Sequence, residues 1–440
     1  MVNLFNKPGK DSESRPVFLP ITITSRILFK MMRIVTMQLS AKNLEKILQK
    51  SLPYFFALVF ITTMVGALLG YLEHNPFKMG DWLINYQGGM IRRGFLGEVF
   101  YQLAHFTHIN PGLYVYIFQI FFYAVFLFFA YALLKKQQVL LPYAFLIFSP
   151  FIFTFQINDL QGGSRKEIIY FALLAFVTWS AIAREHKTFE KIFYITLLLY
   201  PAVILTHEML AIFLPYLLVV YLSVTPLTNK KLFIITLLLF PSIASFIVAI
   251  SYTGTLTQVA EITNSIAREN YSLIEGGTIT SLKNDTSYAI AEVIEYIKDR
   301  HQAYYIFVAA FALLAYIPIY GKLKLIIKNK LSLLLILISV IGSVGLFIVA
   351  LDWGRFIYIH LVSIFLLSLI STKKTENYNE YTYNQPVNIF IVVFFMTYSL
   401  TWHIPHFPPV KAFAKNYKQT NIVAFAKPYK RVYLKFFPKL

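Results

Sequence analysis

The chain has 440 residues, 57% of them apolar or aromatic and only 14% charged, with a formal net charge of +19 and no cysteine. That composition excludes an ordinary soluble domain, and the missing thiols exclude disulfides, thiolate catalysis and cysteine-ligated metals. In a membrane protein a lysine and arginine surplus records topology, so the charge does not argue for nucleic-acid binding.

Residues 1–51 carry Lys7, Lys10, Arg15, Arg26, Lys30, Arg33, Lys42, Lys46 and Lys50 before any long apolar run. So basic a lead is unlike a secretory signal and predicts a cytoplasmic segment, with VFLPITITSRILFKMMRIVTMQL lying on an anionic inner leaflet. Apolar runs then recur through 52–403. They predict an all-α polytopic membrane domain of about eleven transmembrane helices, at roughly 18 residues or so per crossing. The candidate spans are 52–72, 112–134, 139–157, 168–183, 192–206, 209–225, 232–252, 304–320, 331–350, 356–371 and 386–403. The basic loops at 135–136, 184–187, 229–231, 321–330 and 372–374 fall on one side of this order, the cytoplasmic side. The region 192–225 is split at Thr206, His207 and Glu208 because one helix of that length would run about 51 Å, well beyond the bilayer core, and Pro201 and Pro215 interrupt it. External loops then fall at 73–111 and 253–303. The basic tail 404–440, with Lys411, Lys415, Lys418, Lys427, Lys430, Arg431, Lys435 and Lys439, lies outside, against the usual bias.

Under this topology 14 of the 21 acids face outward, a bias that the positive-inside rule does not produce. Four outer segments are more polar than turns require: GDWLINYQGGMIRRGFLGE at 80–98, NDLQGGSRKE at 158–167, THE at 206–208 and LDWGR at 351–355. In the first, Asp81 precedes Asn85 by one helical turn, Gly88 and Gly89 break the path, and Arg92 and Arg93 follow. Beyond them Leu96, Val99, Phe100 and Leu103 oppose Glu98, Gln102 and His105, the pattern of a helix lying along the interface. Guanidinium forks suit phosphate, although paired arginines also snorkel to headgroups. In GGSRKE, Arg165 and Lys166 stand beside Glu167 at a helix start, as binding cations or as interfacial markers. Asp352 and Arg355 crowd a five-residue turn, either as a self-neutralising pair or as a site, since charge at membrane depth is costly. His207 and Glu208 are adjacent, which is a poor zinc signature. A carboxylate site for Mg²⁺ or Mn²⁺ stays open if Asp81, Glu208 and Asp352 converge.

These motifs, in that order on outer loops, resemble the plan of the GT-C glycosyltransferases, whose first external loop carries a catalytic acid and runs into helices along the membrane. Residues 73–111 with Asp81 match that layout, and 253–303 matches the family's larger late loop. The family's acid often comes as an adjacent pair, whereas Asp81 stands alone. The resemblance implies a transferase of the bacterial inner membrane, working on its external face. It would move a sugar from a polyprenyl-phosphate donor to a glycan or lipid acceptor, with no obligatory cofactor. Asp81 would be the base, with Glu208 and Asp352 in reserve, while Arg92, Arg93, Arg165, Lys166, Arg355, His207 and Asn85 would bind substrate. The alternatives are a Wzy-type O-antigen or capsule polymerase driven by external arginines, and a lipid-linked sugar flippase or transporter.

Overall fold

The computed structural model describes residues 40–298, 303–370, 388–407 and 420–438. The expected inner-leaflet segment before residue 40 and the basic loop at 372–374 lie outside these residues. The described chain is all helical. Five helices are long and apolar enough to span a membrane: Ala41–Leu72, Pro111–Lys135, His186–Thr206, Asn229–Ser251 and Lys330–Val349. Tyr304–Leu314 and Ile317–Ile327 add a sixth if the 47° bend between them, just ahead of Pro318, is one broken crossing. Glu167–Ala183, Glu208–Val224, Trp353–Ser368 and Ile389–Leu400 are apolar but shorter.

Local sequence explains the starts. Asn110 accepts from the Leu113 amide just ahead of Pro111, Thr228 accepts from Lys231, and Asn329 accepts from Leu331 and Ser332, so each helix opens with some of its free amides capped. The expected division at 206–208 is a hairpin. The helix stops at Thr206, His207 is extended, and the chain doubles back, so that the Tyr200 hydroxyl donates to the Leu210 carbonyl and Tyr221 stacks on Phe193 4.6 Å away.

The expected span at 139–157 is corrected. It climbs the first helix, from Glu45, which accepts from the Leu140 and Leu141 amides, to Gln156, which donates to Thr63. It does so as a 3-10 turn and two four-residue helices rather than one helix. Pro142 and Pro150 interrupt the path, and the irregular backbone is tolerated because Tyr143, Phe151, Phe153 and Phe155 bury it in protein instead of lipid.

The loops sort to two ends. At one end Lys231 pairs with Glu190 and Lys322 donates to Gln137, which in turn reaches the Leu369 carbonyl. At the other, the segments after residues 72 and 252 form a common cap. Gln258 donates to the Met90 carbonyl, Asn85 to Ser265, and the Arg92 amide to the Tyr252 carbonyl. The helix Phe95–Thr107 is present, but its buried stripe is Gly97, Phe100 and Ala104, while Val99 is exposed. Gly97 sets that orientation, because a Cβ there would overlap the Ile84 carbonyl. Glu98 folds back to accept from the Tyr86 amide and the Gln87 side chain. The tail helix Asn421–Phe436 lies on the cap end of the first helix, where Arg431 pairs with Glu73 and Tyr429 meets Thr62.

Candidate functional site

Asp81 sits in a single helical turn, Gly80–Leu83, beneath the cap. The turn is fixed by Trp82, whose indole donates to the Ser164 carbonyl, and by Gln119, which bridges the Lys78 and Ser164 carbonyls. These bonds bring the first loop against residues 164–167. Asp81 is 1% exposed, and neither carboxylate oxygen has a hydrogen-bond partner among the described residues. A lone carboxylate in that position is costly, and burial alone would raise its pKa. Lys166, His207, Arg165 and Arg93 outweigh burial and hold it well below the usual carboxylate range.

The cations come from three segments. Lys166 donates to the carbonyls of Arg93 and Thr206, both at 3.0 Å, and so ties the first loop, the 158–167 loop and the hairpin tip together. Burial brings it down to about 8, with Asp81 opposing that fall. Arg165 gives one nitrogen to the Phe77 carbonyl and the Thr278 hydroxyl, while its Nε is buried without a partner. Burial also lowers His207, against the pull of Glu208, whose carboxylate lies 3.6 Å from Nδ1, too long for a hydrogen bond. Arg93 and Ser164 both have positive φ, 67° and 60°, so the chain is strained at residues that aim these cations.

The remaining candidates divide by partner. Arg93 grips Glu208 with bonds of 2.9 and 2.6 Å, and Arg355 grips Glu167 at 2.8 and 2.9 Å while also holding Asp352. Glu208 is therefore closed on Arg93, whereas Asp352 gives one oxygen to Arg355 and keeps its side chain 30% exposed. Arg93 and Arg355 present no open fork. Arg92 is half-buried with an unpartnered Nε. Asn85 turns aside, donating to Ser265 and Leu83 and accepting from the Gln87 amide. It fastens the cap. The three carboxylates do not converge into a metal cluster, and no group of three or more His, Asp or Glu able to hold a metal exists among the described residues.

Two neighbours escaped the sequence reading. Glu167 reads as a helix-start acid, yet it is the main partner of Arg355. His406, from the tail, donates its backbone amide to Asp159 and lies 2.7 Å from that carboxylate through Nδ1. Nothing local in the sequence announces either pairing, since 188 and 247 residues separate the partners.

Comparison with protein-family models, curated proteins and solved structures finds no match to this chain.

Proposed function

We propose that the protein is a membrane glycosyltransferase that moves a sugar from a polyprenyl phosphate to a hydroxyl of an envelope glycan or lipid acceptor, at the external face of a bacterial inner membrane. The observation that carries this reading is Asp81, a buried carboxylate with neither oxygen partnered among the described residues and Lys166, His207, Arg165 and Arg93 around it. Its oxygens have no partner among the described residues, and an acceptor hydroxyl brought to them would supply the missing hydrogen bond. In the reaction the acceptor oxygen bonds to the anomeric carbon, its proton passes to Asp81, and the bond from that carbon to the phosphate oxygen breaks. The electron pair leaves on the lipid phosphate. Arg165 and Lys166 supply positive charge beside it, an electrostatic effect that grows as the leaving group charges. Arg93 and Arg355 shape the site through their carboxylate partners instead of gripping substrate.

The arginine-driven polymerase has less support, because two of its four candidate arginines are already bidentate to glutamates. The test is purified protein in nanodiscs, offered a polyprenyl-monophosphate sugar or a diphosphate-linked oligosaccharide. Transfer from the first is the expected result. Elongation of the second with no transfer from the first would overturn the proposal in favour of the polymerase.

A further inference from the structure

Three residues before Asp81 in the same loop, a further cation is held where no ion pair needs it. Lys78 is 3% exposed, and its ammonium makes one hydrogen bond, 3.1 Å to the Gly66 carbonyl in the first helix. Two of its three donors are left over. Its stem is accommodated at Gly70, where a Cβ would stand 2.9 Å from the lysine Cδ. The charged groups nearest to it are Asp159, Glu73, Arg431 and Arg165. Both acids are engaged elsewhere. Asp159 holds His406 and the amides of Gln161 and Gly162, while Glu73 holds Arg431. Arg165 has no carboxylate within ion-pair distance among the described residues, and it is anchored to the carbonyl of Phe77, the residue next to Lys78. A buried lysine of the first loop therefore lies near a buried arginine of the 158–167 loop, and among the described residues neither has a carboxylate within ion-pair distance, Asp81 acting on Arg165 only from further off. Burying an uncompensated ammonium is expensive, and in membrane proteins such charges mark sites.

We propose that Lys78 is a phosphate-binding residue, which together with Arg165 takes the phosphate of a lipid-linked ligand. This rests on the reading of the site as one that handles a lipid phosphate, but not on sugar transfer. The competing role is a pin, with Lys78 only fastening the loop to Gly66. Lys78→Gln separates the two, because the amide keeps a donor for the Gly66 carbonyl but loses the charge, while Lys78→Arg keeps the charge.

The experiment measures binding of farnesyl phosphate to the full chain in nanodiscs, with farnesol and inorganic phosphate as controls and thermal unfolding as a check on folding. Wild type and Lys78→Arg should bind farnesyl phosphate. Lys78→Gln should bind it at least roughly tenfold more weakly, the loss of one charge-assisted hydrogen bond, with farnesol binding unchanged. Wild-type affinity in a folded Lys78→Gln would overturn the proposal, as would inorganic phosphate displacing farnesyl phosphate at equal concentration, which would mean a free-anion site. If Lys78→Gln fails to fold, Lys78→Met, which fills the same space beside Gly70, is read by the same criteria, and failure of both variants would show a pin. Lys78-dependent binding without sugar transfer would retain this inference and remove the transferase. Transfer unaffected by Lys78→Gln would do the reverse.

Discussion

Replacing Glu167 by glutamine keeps the shape of the side chain and removes the charge that faces Arg355. The pair is buried, at 5% and 4% side-chain exposure, and bidentate at 2.8 and 2.9 Å, so the guanidinium would lose its principal counter-charge away from water. Removing one partner of a buried pair costs about 3–5 kcal/mol, and the lower end, about 3 kcal/mol, applies because Asp352 stays on Arg355. Neutralising the arginine as well, in Glu167→Gln with Arg355→Met, should recover part of that loss, since no buried cation then lacks its partner. Asp352, 30% exposed at its side chain, can turn to solvent in that background. The assay is SDS-induced unfolding of the four proteins of the cycle. Stability of Glu167→Gln within about 0.5 kcal/mol of wild type, the range of an ordinary surface change, would refute the claim that this pair organises the site.

Gly97→Ala should reduce folded yield and thermal stability, because its methyl meets the Ile84 carbonyl where the helix Phe95–Thr107 crosses the Asp81 loop; an unchanged melting temperature would show that the loop yields freely. The chain lacks cysteine, so single Cys probes at Ser272 and Lys427 report sidedness directly. Both should react with an impermeant maleimide in intact cells, and protection at both would place the cap and the tail in the cytoplasm. Turnover should survive EDTA, since Glu208 is closed on Arg93, Asp352 gives an oxygen to Arg355 and Asp81 faces cations. Loss that Mn²⁺ restores would count against a site run by lysine and arginine alone.

The all-helical, apolar character of the chain was legible because hydrophobic runs are local signals, but of the eleven expected spans the described residues hold five helices long and apolar enough to cross, or six with the bent pair. The start near Pro111, the reversal at His207 and the polar loops at 80–98 and 158–167 all follow from residues within a few positions of each other. The segment 139–157 was misread because burial in protein and burial in lipid demand the same apolar residues. Only Pro142 and Pro150 hinted that the crossing is irregular. At the site, the residue types were readable but their partners were not. Glu208 looked like a free acid until Arg93 closed on it from 115 residues away, and Lys78, whose stem packs on Gly70, gave no signal in the sequence at all. The expected stripe in 95–107 held in part, with Phe100 buried and Leu96 and Leu103 partly so, but Val99 is exposed. A glycine, which carries no hydrophobic signal, sets which face packs.

The central claim is that Asp81 accepts the acceptor proton, and the most direct measurement compares turnover and donor binding in Asp81→Asn. The amide keeps the size of the buried side chain and removes the base. Transfer from a defined polyprenyl-phosphate sugar should fall about 10²-fold or more, while donor affinity changes by less than about threefold, as expected for an interaction made mainly in the transition state. Near wild-type turnover in a folded Asp81→Asn would contradict the account, and it would leave this carboxylate as a counter-ion for Lys166 and Arg165.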